Sequence, residues 1–145
     1  MKRKNKIKEL SYFGLQLQAF LKESHPQKLL DHKFIKLRSD IASEIYADSF
    51  KHGHSRDIAE ELANEALYAG LLFSKYNTIR TILWEEFSYI SEKEVNKKAL
   101  DLLPICEEVF SSYSLHDEFV NSAEYNQLYT ELIGQIDIWE EQNEL

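Results

Sequence analysis

The chain has 145 residues with a formal net charge of −8, a single cysteine, four glycines and two prolines. This length fits one domain able to bury a core without metal or disulfide support, and Cys106 alone excludes an intrachain disulfide. No stretch approaches the run of about 18 apolar residues that a membrane helix needs, and the basic opening MKRKNKIKEL is followed by Glu9, Gln16, Gln18 and Lys22 where a secretory segment needs an unbroken apolar core; a cytoplasmic home is expected.

Residues 1–8 carry five basic residues and no acid, and read as a disordered basic tail preceding a single helical domain over 9–145. Leu10, Phe13, Leu17, Phe20 and Leu21 then recur at helix spacing up to Ser24. A longer pattern from Pro26 to Lys51 places Leu29, Leu30, Phe34, Leu37, Ile41 and Ile45 on one inward side, with Pro26 or Asp31 as its start or an internal restart and Gly53 as the stop.

The longest helix-period run is Arg56 to Ile90, and it is expected to hold the central buried helix that the others wrap. Ala59, Ala63, Ala66 and Gly70 form a stripe of small residues there, and every residue from Leu67 to Phe73 is apolar or Gly. Asp57 with Glu60 has capping-box spacing, and the helix is expected to run to about Phe73. Asn77 and Thr78 open the next helix, Thr78 to Tyr89, with Ile79, Ile82, Leu83, Trp84 and Phe87 inward. Ser91 with Glu94 opens another through Leu103, Pro104 begins a separate short helix to Tyr113, and Ser122 caps the last one. In that helix Tyr125, Leu128, Leu132, Ile136 and Trp139 make the inward stripe. With no alternating run and no hairpin dipeptide, the fold class is all-α: a compact multihelical single domain of six to eight helices around a central buried helix.

Charge is distributed unevenly. Residues 1–100 hold 17 basic against 14 acidic side chains, whereas residues 101–145 hold 11 acids and no Lys or Arg. A field of one sign over that much surface attracts basic partners and repels nucleic acid. Tyr113, Tyr125, Tyr129 and Trp139 lie in the acidic region, most of them on the core stripe, with Tyr129 beside that stripe and expected to be partly exposed. Glu124, Glu131, Glu140, Glu141 and Tyr129 are therefore the expected partner-binding residues, for a basic protein or in imitation of DNA. The basic tail offers the alternative of weak, salt-sensitive nucleic-acid contact. The apolar excess between Leu67 and Phe73 equally suits a contact between two copies of the chain.

Sites for chemistry are sparse. His52-Gly53-His54, with Asp48 one turn before His52, is the one cluster with a metal-like spacing, yet it lacks a third and fourth ligand in fixed geometry. The competing reading is a cationic His at a helix C-terminus. His116-Asp117-Glu118 lies in the least periodic segment, and Glu60, Glu61, Glu65, Glu85 and Glu86 read as solvated helix faces. Cys106 has no cationic neighbour and reads as a small buried residue. No phosphate loop, nucleophile elbow, zinc pattern or Glu-x-x-His pair occurs, so no cofactor is expected, and a metal-dependent enzyme is the remaining alternative.

Several segments in order, ELSYFGLQLQAFLKESHP, IAEELANEALYAGLLFSKYNT, LPICEEVFSSY, EYNQLYTELIG and IWEEQ, resemble the Bacteroidetes family termed domain of unknown function 1896. The resemblance covers about Glu9 to Leu145. It implies a small all-helical protein associated with conjugative transposons and related mobile elements, and it implies no catalytic residue or cofactor.

Overall fold

Short polar side chains ahead of apolar stripes set most of the helix starts in the computed structural model, which describes residues 11–143. The expected tail over 1–8 lies outside the described residues. Among those described there are six α-helices and no strand: α1 Tyr12–Ser24, α2 His32–Lys51, α3 Arg56–Tyr68, α4 Lys75–Glu86, α5 Glu92–Ser111 and α6 Tyr125–Asn143, with 3-10 turns at Pro26–Lys28 and Phe119–Asn121. The fold is all-α. Ser11, Asp31, Ser55 and Ser74 each accept a hydrogen bond from the backbone N–H three residues on, which satisfies one donor that the first helical turn leaves open. Ser55 and Ser74 thus start α3 and α4 in place of Asp57 and Asn77, while Ser91 precedes α5 without a side-chain bond. Ser122 does not cap α6; its hydroxyl donates to the Phe119 carbonyl.

Within the domain, packing gathers into two compact units that divide between Ala69 and Gly70. That division falls inside the run expected to form the central helix. α3 ends at Tyr68, Ala69 leaves helical geometry, and Gly70 takes φ +79°, a left-handed conformation open to glycine without a Cβ penalty. In the connector that follows, Leu71, Phe73 and Ser74 are buried and Leu72 is exposed. The apolar run Leu67–Phe73 is therefore a helix end followed by a non-helical connector, and the expected central helix to Phe73 is not one element.

In the first unit α2 packs chiefly on α3 and also on α1. The core is Phe13, Leu17 and Leu21 of α1, Ile35 and Ala42 of α2, and Ala59, Ala63 and Leu67 of α3. The buried side of α2 is not the expected one. Ile35, Ser39, Ala42 and Ser49 face inward, whereas Leu30, Leu37 and Ile41 are exposed. Small side chains on α2 and α3 permit close approach and dense contact, and the buried hydroxyls are satisfied: Ser39 bonds to Ser11, and Ser49 donates to the Ile45 carbonyl at 2.8 Å. Arg38 closes the end of α3, donating to the carbonyls of Ala66 and Leu67, a favourable place for a cation.

In the second unit Ile79, Ile82 and Leu83 of α4, Val95, Ala99, Leu102, Cys106 and Phe110 of α5, and Leu128, Leu132 and Ile136 of α6 form one cluster, with Phe119 anchored in it. Trp84, expected inward, is 60% exposed. Pro104 does not start a helix but lies inside α5. It is exposed, and so is Leu100, whose carbonyl loses its i+4 donor to the proline.

Candidate functional site

Helix ends bring acids and aromatics together in the second unit. α4 finishes on Glu85 and Glu86, carboxylates at a helix C-terminus where the dipole disfavours them. α6 places Tyr129 one position beyond the buried Leu128, so its ring lies at the edge of the core and its hydroxyl reaches outward. That hydroxyl donates to Glu85 Oε1 at 2.9 Å and to Glu86 Oε2 at 3.2 Å. Tyr113, just past α5, donates to Glu131 Oε1 at 2.7 Å, and Gln127 reaches the same oxygen at 3.3 Å. Phe119, 1% exposed, is the floor: the rings of Tyr113 and Tyr125 meet it with centroids 5.9 and 6.5 Å away, and Tyr125 lies 6.2 Å from Tyr129.

The electrostatics follow from this geometry. Burial and then the Glu131 carboxylate push the Tyr113 phenol up to about 12. Burial, Glu85 and Glu86 hold Tyr129 well above the ordinary phenol range, and burial with Glu85 raises Tyr125. All three stay protonated at neutral pH, so the hydroxyls donate to the carboxylates without neutralising them. Among the described residues, none of Glu85, Glu86, Glu124 and Glu131 forms an ion pair; the lysines of this unit that do so pair as Lys75–Glu107, Lys97–Asp101 and Lys98–Glu140. Beside Glu85 a cleft of about 450 Å³ is lined by Asn77, Arg80, Thr81, Trp84 and Val95.

Of the residues singled out from sequence, Tyr129, Glu131 and Glu124 gather here; the Glu124 charge also reaches Tyr113. Glu140 does not. It is 6% exposed and held by Lys98 Nζ at 2.8 Å, with the same ammonium 5.7 Å from the Trp139 ring centroid, so it locks α6 to α5 and offers nothing to a partner. Glu141 is exposed but lies about 15 Å along α6 from Glu131. Glu85 and Glu86, read as solvated, belong to the cluster; their place at a helix C-terminus against the dipole was the signal available.

The other candidates resolve into structural roles. His52 Nδ1 donates to the Asp48 carbonyl at 2.7 Å, ending α2, while the Asp48 carboxylate and His54 are exposed. Among the described residues no group of three or more His, Cys, Asp or Glu is placed to hold a metal. Asp117 accepts from the N–H groups of Gly70 and Leu72, each at 3.0 Å, and His116 Nδ1 accepts from the Glu118 N–H. These contacts fix a connector rather than an acid–base pair. Cys106 is fully buried, and burial pushes its thiol up to about 12, away from thiolate chemistry. In the first unit, Tyr12 donates to Glu60 at 3.0 Å on the wall of a pocket of about 350 Å³ that also includes Phe13, Ser43, Tyr46 and Arg56. These residues come from three helices, and nothing in their sequence spacing announces the pocket.

An all-helical chain with this residue order belongs to the family described as Domain of unknown function (DUF1896), whose model matches residues 5–145. The crystal structure of protein PG0816 from Porphyromonas gingivalis is similar at 39% sequence identity, over 97% of this chain and 96% of that one, with a TM-score of 0.87. No curated protein matches the chain.

Proposed function

We propose that the chain is a non-enzymatic, cytoplasmic protein-interaction module of a bacterial mobile element, and that it docks a basic protein partner on the surface formed by Glu85, Glu86, Glu124, Glu131 and Tyr129. The mobile-element setting rests on the family resemblance. The docking rests on one observation: four exposed carboxylates, none in an ion pair among the described residues, stand around a tyrosine surface fixed on the buried Phe119. A Lys- or Arg-rich segment laid there gains ion pairs and cation–π contact while the tyrosine hydroxyls keep Glu85, Glu86 and Glu131 oriented.

The test is a titration with an Arg-rich helical peptide, and with basic proteins captured from a host lysate, using wild type and a Glu85, Glu86, Glu124 and Glu131 to Gln variant. The variant should bind at least about tenfold more weakly, and wild-type binding should weaken with salt. Equal binding by both proteins removes this reading. Competition by duplex DNA for the captured partner distinguishes a DNA-mimicking inhibitor from other docking.

A further inference from the structure

The face of α2 left out of the core is apolar along its length. Phe34, Leu37, Ile41 and Ile45 fall at i, i+3, i+7 and i+11 along the helix, a continuous apolar stripe. Leu37 is 59% and Ile41 38% exposed, Phe34 and Ile45 are half-buried, and Leu30 just before the helix is 81% exposed. A protein can expose single apolar side chains at no consequence, whereas a stripe along one helix marks a surface that something covers.

The charges beside the stripe identify the occupant. The first half of the exposed face is basic, with Lys33 and Lys36, and the second half is acidic, with Asp40, Glu44 and Asp48, all exposed. Arg38 is not part of this set, being turned to the α3 carbonyls and over the Phe34 ring at 5.0 Å. Between its ends this order runs against the helix macrodipole, which favours acids near the start and bases near the finish; only Asp31 at the N-cap and Lys51 in the last turn accord with it. It also sets Lys36 before Asp40 in their exposed ion pair, the less favourable direction for an i,i+4 pair. A helix alone gains little from such an arrangement beyond that exposed pair. Two such helices laid antiparallel gain from it twice, since each basic half meets an acidic half and the dipoles oppose.

We propose that α2 is a self-docking surface on which a second copy of this chain packs antiparallel about a two-fold axis. Centred between Leu37 and Ile41, the pairing sets Leu37 against Ile41 of the second copy and Phe34 against its Ile45. Lys33 and Glu44, about three turns apart on one flank, then meet reciprocally across the axis. The first unit is near neutral, with 12 basic and 10 acidic residues up to Ala69, and so opposes association less than residues 70–145, with 5 basic and 15 acidic. One helix from each copy makes an interface below about 1,200 Å², the size of weak and transient contacts, so association is expected in the range of roughly 10 to 100 μM.

Sedimentation equilibrium of the full chain from about 5 μM to 1 mM spans that range. Wild type should pass from monomer to dimer. Leu37→Glu should raise the dissociation constant at least about tenfold, with an unchanged circular dichroism spectrum because the side chain is exposed. Lys33→Glu should weaken association, and adding Glu44→Lys should restore it to within about threefold of wild type, since the reversed charges still meet across the axis. A monomer throughout, as when another part of the chain covers the stripe, overturns the proposal. So does a dimer indifferent to Leu37→Glu, or a Lys33→Glu, Glu44→Lys chain no better associated than Lys33→Glu alone.

Discussion

Gly70 separates two explanations that give opposite size dependences. From sequence it closes a stripe of small residues inside a helix, where any side chain would overpack and Leu would cost far more than Ala. In the structure it follows the helix with φ +79°, and a Cβ built there meets nothing within 4 Å. The cost of a side chain is then conformational. Left-handed geometry costs a non-glycine residue about 1 to 2 kcal/mol, and loss of unfolded-state freedom returns about 0.4 to 1 kcal/mol. Gly70→Ala and Gly70→Leu should therefore destabilise alike, by about 1 kcal/mol, and Gly70→Asn by less, since Asn tolerates that region. Urea unfolding followed by circular dichroism resolves this, with a melting shift of about 3 °C for Ala as an independent check. A Leu variant costing over about 2 kcal/mol more than Ala would refute the conformational account. Asp117→Ala should add about 0.5 to 1.5 kcal/mol of its own, since the exposed Gly70 and Leu72 N–H groups exchange its carboxylate for water.

Three further outcomes follow from contacts in the second unit. Lys98→Met should destabilise by about 2 to 3 kcal/mol by leaving Glu140 buried without its cation, and adding Glu140→Leu should recover much of that, since an apolar pair fits where an ion pair sat; equal losses in the single and double variants would contradict the pairing. Pro104→Ala should stabilise by about 1 to 2 kcal/mol, as an exposed mid-helix proline costs about 3 kcal/mol and its removal frees the unfolded chain somewhat; a loss on thermal melting would be evidence against this. The tyrosine–carboxylate bonds need protonated phenols, and the folded values of Tyr113 and Tyr129 lie above the ordinary 10. Their contribution is thus complete below pH 10 and is lost as pH rises through the folded values, about 12 for Tyr113. Stability measured from pH 8 to 12 should fall in that window, and less steeply in Tyr113→Phe with Tyr129→Phe; parallel curves would exclude the tyrosines as the cause.

The all-helical class, the helix order and several inward stripes were legible in the sequence because each is written within a few residues: a polar cap, a 3.6-residue period, a glycine stop. Ile79, Ile82 and Leu83 of α4 and Leu128, Leu132 and Ile136 of α6 are buried as their spacing requires. What only the tertiary structure decided depends on distant residues. α2 has two faces able to pack, and the presence of close-fitting small residues on α3 selected Ser39 and Ala42 over Leu37 and Ile41. The acids of α6 look alike in sequence, but Lys98 on α5 withdraws Glu140 while Tyr129 carries its hydroxyl to Glu85 and Glu86 on α4. Local periodicity fixes which residues share a face, and only the long-range partners fix whether that face meets protein or water.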